Sequence, residues 1–428
     1  MDARSDTRKR TLTTLIAAIF AALLCVTLAG PAGAADDDDG GEFVSRQVVV
    51  KLASTAVISE INKKYGTTTI ETLLGSSRIY LLRTPQNANP ETLAERMESD
   101  TNRLRRVIYA EPNFRTELPE ASRQHRARPG GEPTLSSDPA QYRSQYAVDN
   151  LNLTEAHGVN RGAGSVVAVI DTGVQAGHPM LSGRLMAGYD FVGRDDNPAD
   201  SGEGKLAGHG THVAGIVALG APDAKIMPIR ALDPDGHGTT FQIAKAIRYA
   251  IRKDADVVNL SLGTSRETEL LEDLIGDDDD DDGGSNGRDV IFVAAAGNDS
   301  DSKEQFPAAE EDAIAVTSVG QGKTRSGFAN YGDWISISAP GSGIHSPFPE
   351  NRYAMWDGTS MATPFVAAQA ALIRGERPAA SSECVIGIIQ QTAQPLADNL
   401  GAGHADAGAS TRYAANPANP CAGAGDDD

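Results

Sequence analysis

With 428 residues, of which 40% are hydrophobic and 22% charged, the chain exceeds one average domain and has the composition of a soluble globular protein. Two folded units with appendages are therefore expected. A net charge of −20, with the acid excess beyond Asp138, argues against nucleic-acid binding, because phosphate contacts need a basic surface.

The first residues carry Arg4, Arg8, Lys9 and Arg10, followed by an apolar stretch at 12–28 and by Ala32-Gly33-Ala34. A basic region, an apolar region and a small-residue cleavage site read as an export signal over 1–34. A single membrane anchor is the other reading of the same stretch. Cleavage after Ala34 would leave a secreted chain, extracellular or periplasmic, with no stable membrane anchor. It would also remove Cys25 and leave Cys384 and Cys421. These either pair, tying the acidic tail 416–428 to a late helix, or remain two free thiols.

Residues 35–115 carry a compact pattern. A strand is expected at 47–52, a helix at 55–65, strands near 68–74 and 78–82, a helix at 90–103 and a closing strand at 107–110. The order βαββαβ predicts a small α+β ferredoxin-like domain. Residues 116–137 are rich in Pro, Gly, Ser and Arg and show no hydrophobic period, so they read as an exposed linker open to proteolysis.

From 138 to 415 the pattern changes. Val166-Val167-Ala168-Val169-Ile170 is a continuous apolar strand ending at Asp171, and helix signals follow His209. A strand at 224–229, a helix at 241–252, a strand at 257–260, a short helix at 267–275 and a strand at 290–294 come next. Apolar strands alternating with helices predict an α/β fold with a doubly wound, mostly parallel sheet covered on both faces. Ligands of such sheets bind beyond the carboxyl ends of the strands. Asp171, Ser261 and Asn298 all fall there, so all three are expected to face one crevice. Further on, the small-residue turn Gly358-Thr359-Ser360 runs into an apolar helix at 365–373, placing Ser360 at a helix N-terminus, where developing negative charge is favoured.

Four segments then read together: Val169-Ile170-Asp171-Thr172-Gly173, Gly208-His209-Gly210-Thr211-His212, Ala295-Ala296-Gly297-Asn298 and Gly358-Thr359-Ser360. Acyl transfer to water needs a nucleophile, a base near neutral pKa, an anion that orients the base, and donors for the oxyanion. Ser360, His209, Asp171 and Asn298 supply one of each. His212, three residues after His209, is assigned to packing at the start of the helix.

On these motifs the chain resembles a subtilisin-like serine peptidase, from about residue 138 to 413. The chain order Asp, His, Ser is the subtilisin order, and Gly-Thr-Ser-Met-Ala is not the Gly-x-Ser-x-Gly elbow of lipases and esterases. Asn259-Leu260-Ser261-Leu262-Gly263 and Ala339-Pro340-Gly341 are similar to further segments of that family. The βαββαβ unit, ending in Tyr109-Ala110-Glu111-Pro112-Asn113, is similar to its inhibitory propeptides.

The resemblance implies a self-processing endopeptidase acting on protein and peptide substrates, with its own propeptide as intramolecular inhibitor. Asp171, His209 and Ser360 would be catalytic and Asn298 the oxyanion donor. Ser261, Leu262 and Gly263, with Gly236 and Gly238 opposite, would bind substrate backbone as an added strand. The enzyme would work as a monomer and need no cofactor for its chemistry. Gln305, Glu304 and Asp299 fall where the primary pocket would be lined, suggesting tolerance of polar or basic residues. A peptide ligase on the same fold, and a catalytically silent binding module, are the alternatives.

Departures from the family pattern are visible too. The usual calcium loop after the catalytic-His helix is missing between Leu219 and Ala224. Asp190, Asp195, Asp196 and Asp200 crowd one loop, and Asp195 and Asp200 are candidate ligands for a structural Ca²⁺, set against a merely solvated loop. The run 277–282 reads as an inserted, solvated segment.

Overall fold

The computed structural model describes residues 41–421 apart from 75–77, 100–106, 202, 277–288 and 397–398. The export signal, the run 277–282 and the end of the acidic tail lie outside the described residues.

Near the N-terminus, β1 (Phe43–Leu52), β2 (Thr68–Thr72), β3 (Ile79–Arg83) and β4 (Val107–Glu117) form an antiparallel sheet in the order β2-β3-β1-β4. With the helices Ile58–Tyr65 and Pro90–Ser99 this is the expected ferredoxin-like unit. Successive strand residues point to opposite faces, and both faces are used. Val48, Val50 and Leu52 pack with Ile61, Leu93 and Met97 in a core of the small domain. Val49, Leu81 and Tyr109 instead join the main core of the large domain.

The large domain is built on a seven-stranded parallel sheet. Its strands are β6 (Val166–Asp171), β7 (Tyr189–Asp190), β8 (Lys225–Arg230), β10 (Val257–Leu260), β11 (Ile291–Ala295), β12 (Ala313–Val319) and β13 (Ile337–Pro340). They lie in the order β13-β12-β11-β10-β6-β8-β7. Strands such as β10 and β11 are buried along their whole length, which is why they read as unbroken apolar runs rather than alternating ones. The helices His209–Gly220 and Thr359–Glu376 pack together, as do Thr240–Arg252 and Glu269–Ile275. Because the strands are parallel, Asp171, Ser261 and Asn298 emerge on the same side.

The segment 116–137 is not an exposed linker. β4 runs on to Glu117 and pairs antiparallel with β9 (His237–Thr239), joining the two domains in one sheet. A 3-10 turn, Pro119–Ala121, and a short helix, Arg123–Arg126, follow. β5 (Thr134–Ser136) then pairs with β15 (Arg352–Trp356), which itself pairs with β14 (Ile344–Phe348). Leu118, Glu120 and His125 are buried. The segment shows no hydrophobic period because it is held by backbone edges and by isolated side chains, Leu118 in the main core and His125 against Phe328, rather than by a periodic apolar face.

Cys384 and Cys421 are disulfide-bonded, tying the described end of the chain to the helix Ser382–Gln391. The bridge closes a separation of 37 residues, so Cys421→Ser should lower the unfolding free energy by about 3–4 kcal/mol on the chain-entropy account. Denaturant midpoints of the two proteins check this; equal midpoints would contradict it.

Candidate functional site

Asp171 is the last residue of β6 and fully buried. Its carboxylate accepts from the Thr172 amide at 2.7 Å and from His209 Nδ1, with the two oxygens at 2.8 and 3.0 Å. His209 opens its helix, and Gly208 before it has φ 98°, a left-handed conformation that favours glycine. A Cβ there would also lie 2.4 Å from the Phe348 ring. Trp356 packs against the His209 imidazole in a T-shaped arrangement with ring centroids 5.3 Å apart.

Ser360 lies in the first turn of the helix Thr359–Glu376. Its hydroxyl donates to a carboxylate oxygen of Glu120 at 2.7 Å, and the same oxygen stands 3.2 Å from His209 Nε2. The other Glu120 oxygen accepts from Asn298 Nδ2 at 2.8 Å. The orientation of the Asn298 amide is set by Thr359, whose N–H and hydroxyl both donate to Asn298 Oδ1 at 2.9 and 3.0 Å. A serine hydroxyl, an imidazole and an amide thus converge on one carboxylate. Gly358 permits the approach: a Cβ on it would meet Glu120 Oε1 at 1.8 Å.

Burial opposes charge on His209, but Asp171 at one ring nitrogen and Glu120 at the other outweigh it and raise its pKa to about 10. Burial likewise pushes the Glu120 carboxyl up, yet His209, His125 and the Ser360 hydroxyl hold it below its ordinary value. The folded value for His209 lies above the ordinary 6.5. This pairing therefore stabilises the intact chain fully below about pH 6.5 and is lost as pH rises through about 10. In an NMR titration of the uncut Ser360→Ala chain, His209 should still be protonated at about pH 8. A midpoint near the ordinary histidine value would contradict the double pairing.

Residues 115–118 form the middle strand of the cleft. Thr116 pairs with Gly238, and Leu118 N donates to Gly236 O at 3.0 Å. On the other side Glu117 and Gly263 exchange backbone hydrogen bonds, both 2.9 Å. Ser261 Oγ donates to Ser360 O at 3.0 Å, and Leu262 is buried in the main core. Gln305 is half-buried near Gly297, while Asp299 and Glu304 are exposed.

The cation reading of Asp200 does not fit. Its carboxylate accepts from Gly208 N, Thr211 N, Thr211 Oγ1 and Thr172 Oγ1 at 2.8, 3.0, 2.6 and 3.3 Å, so its oxygens are already engaged. Burial, only partly offset by these bonds, raises its pKa to about 6. Asp200 braces the start of the His209 helix. Asp190 is held by Arg230 at 2.9 Å, and Asp195 accepts from the Asn197 amide at 2.8 Å. Among the described residues no group of three or more His, Cys, Asp or Glu is arranged to hold a metal ion. His212 Nε2 lies 3.2 and 3.1 Å from the backbone oxygens of Ile344 and Ala354, and burial lowers its pKa to about 3, a packing role.

Sequence reasoning missed Glu120, Thr359 and the bracing by Asp200. Thr359 stands inside the Gly-Thr-Ser motif and was legible as a neighbour. Glu120 carries no local signal, being one acid in a segment without period.

Comparison with known proteins agrees with the architecture. Residues 162–413 match the model of the subtilase family, Peptidase_S8, and residues 29–113 match the fervidolysin N-terminal prodomain. Over 243 residues the chain is 42% identical to the thermophilic serine proteinase of Bacillus sp. (strain AK1), covering 54% of this chain and 58% of that one. It is 36% identical to thermitase of Thermoactinomyces vulgaris over 270 residues, covering 61% of this chain and 92% of that one. The crystal structure of fervidolysin from Fervidobacterium pennivorans shares the fold with TM-score 0.72 at 22% identity, over 90% of this chain and 62% of that one. No helix among the described residues is long and apolar enough to cross a membrane.

Proposed function

The chain belongs to the subtilase family, and on that premise we propose that it is a secreted serine endopeptidase made as a self-processing zymogen. Ser360 attacks the scissile carbonyl, and His209 takes its proton and returns it to the leaving amine. Asp171 keeps the proton on Nδ1 and steadies the imidazolium, while Asn298 Nδ2 and the Ser360 N–H receive the oxyanion. An extended substrate pairs with the edges at 236–238 and 261–263, as residues 115–118 do in the intact chain.

The observation that carries this reading is the convergence of Ser360 Oγ, His209 Nε2 and Asn298 Nδ2 on one carboxylate, with Asp171 behind the ring. A carboxylate has the planar, two-oxygen shape of the acid such an enzyme releases. Secretion is supported by the basic and apolar start of the chain and by the disulfide, which persists in oxidising compartments.

The wild-type chain, expressed beside Ser360→Ala, should lose its N-terminal domain with time while the variant stays full length. N-terminal sequencing of the mature form should find a terminus within 116–137. Two full-length products would end the self-processing reading, and equal shedding by both would assign the cut to another protease.

A further inference from the structure

Glu120 has no place in the reaction itself, yet it is wholly buried and engages three of the groups assigned to it. Two features of the backbone around it show that the intact chain is not poised for its own cleavage. Residues 115–118 lie along the cleft as a substrate strand would, but Pro119 and Glu120 leave the strand direction in a 3-10 turn. That turn is closed by Ala121 N donating to Leu118 O at 2.8 Å, so the Leu118 carbonyl is engaged internally. The donor of Asn298 that would receive an oxyanion is taken by a side chain instead.

We propose that Glu120 is a built-in carboxylate stopper: its side chain occupies the position of the reacting carbonyl, and it has to withdraw before the intact chain makes its first cut. This rests on the peptidase reading above and adds to it a specific residue outside the small domain's fold. The stopper works by three contacts at once. It ties up the Ser360 hydroxyl, fills the Asn298 donor, and holds His209 as an imidazolium that has no capacity to accept the serine proton. The groups facing it are His209, with Asp171 behind, together with His125 and Ser360. A buried carboxylate so fully paired is costly to break one-sidedly, which makes the stopped state persistent.

The test compares full-length wild type, Glu120→Gln and Glu120→Ala, reading fluorophosphonate labelling on the uncut band at early times. Glu120→Gln keeps the side-chain shape, so the comparison does not hang on the folding of one variant. Uncut Glu120→Ala should label at least about tenfold faster than uncut wild type and shed the N-terminal domain sooner, while Glu120→Gln, which keeps the shape but gives up the charge facing His209, should fall between the two. Added formate should slow labelling of uncut Glu120→Ala back toward the wild-type rate, an effect that a merely structural role of Glu120 would not produce. Equal labelling of all three uncut chains, with normal labelling of the mature wild-type enzyme, would overturn the stopper alone. Failure of the mature wild-type enzyme to label would overturn the peptidase reading and the stopper with it.

Discussion

Replacing His209 by Ala should lower turnover of a peptide anilide by roughly 10⁶, measured after the N-terminal domain that the variant should not shed itself has been removed by an added and then inactivated protease, and adding Ser360→Ala should cost little more. The magnitude is the one established for subtilisin rather than one derived from these distances. The non-additivity follows from the geometry. Asp171 holds Nδ1 at 2.8 Å, leaving Nε2 as the only ring position able to take the Ser360 proton. Without the ring the hydroxyl is an ordinary alcohol, and without the hydroxyl the ring has nothing to activate. Losses that multiplied, so that the double variant fell far below either single one, would mean that the two groups act independently.

Asn298→Leu should lower kcat by about 10²–10³ and change KM little, again the magnitude known from subtilisin. Leucine keeps the volume and removes the donor. The Asn298 amide is preset, because Thr359 donates twice to its oxygen and so aims Nδ2 into the site. A donor fixed before the reaction stabilises charge that appears only in the transition state, hence the effect on kcat rather than on binding. A rise in KM with kcat unchanged would assign Asn298 to ground-state binding instead.

Most of the frame was legible because it follows from local chemistry. Val166–Asp171 and Val257–Leu260 are unbroken apolar strands because both faces are covered, and βαββαβ order was visible in the periods of the small domain. Asp171, His209, Asn298 and Ser360 lie in motifs whose glycines are needed for turns and close approach, so their segments stand out from their surroundings. Glu120 was illegible for the opposite reason. It follows residues 115–118, which are held by the edges at 236–238 and 261–263 on either side, and it lies in the 3-10 turn that leaves them. Nothing within 116–137 encodes that pairing, since backbone hydrogen bonds place little demand on side-chain type. Asp200 shows the same limit. An acid in an acidic loop reads equally as a cation ligand or a solvated charge, and only the folded chain brings Gly208, Thr211 and Thr172 around it.

The claim on which the account stands is that Ser360 is the nucleophile, activated by the ring at 209. Peptide mapping of the mature enzyme after inactivation by a fluorophosphonate tests it most directly. The account predicts a single adduct, on the peptide containing Ser360, and no adduct in a His209→Ala chain whose N-terminal domain has been removed by an added protease. An adduct on a different residue, or full peptidase activity surviving complete modification of Ser360, would contradict it.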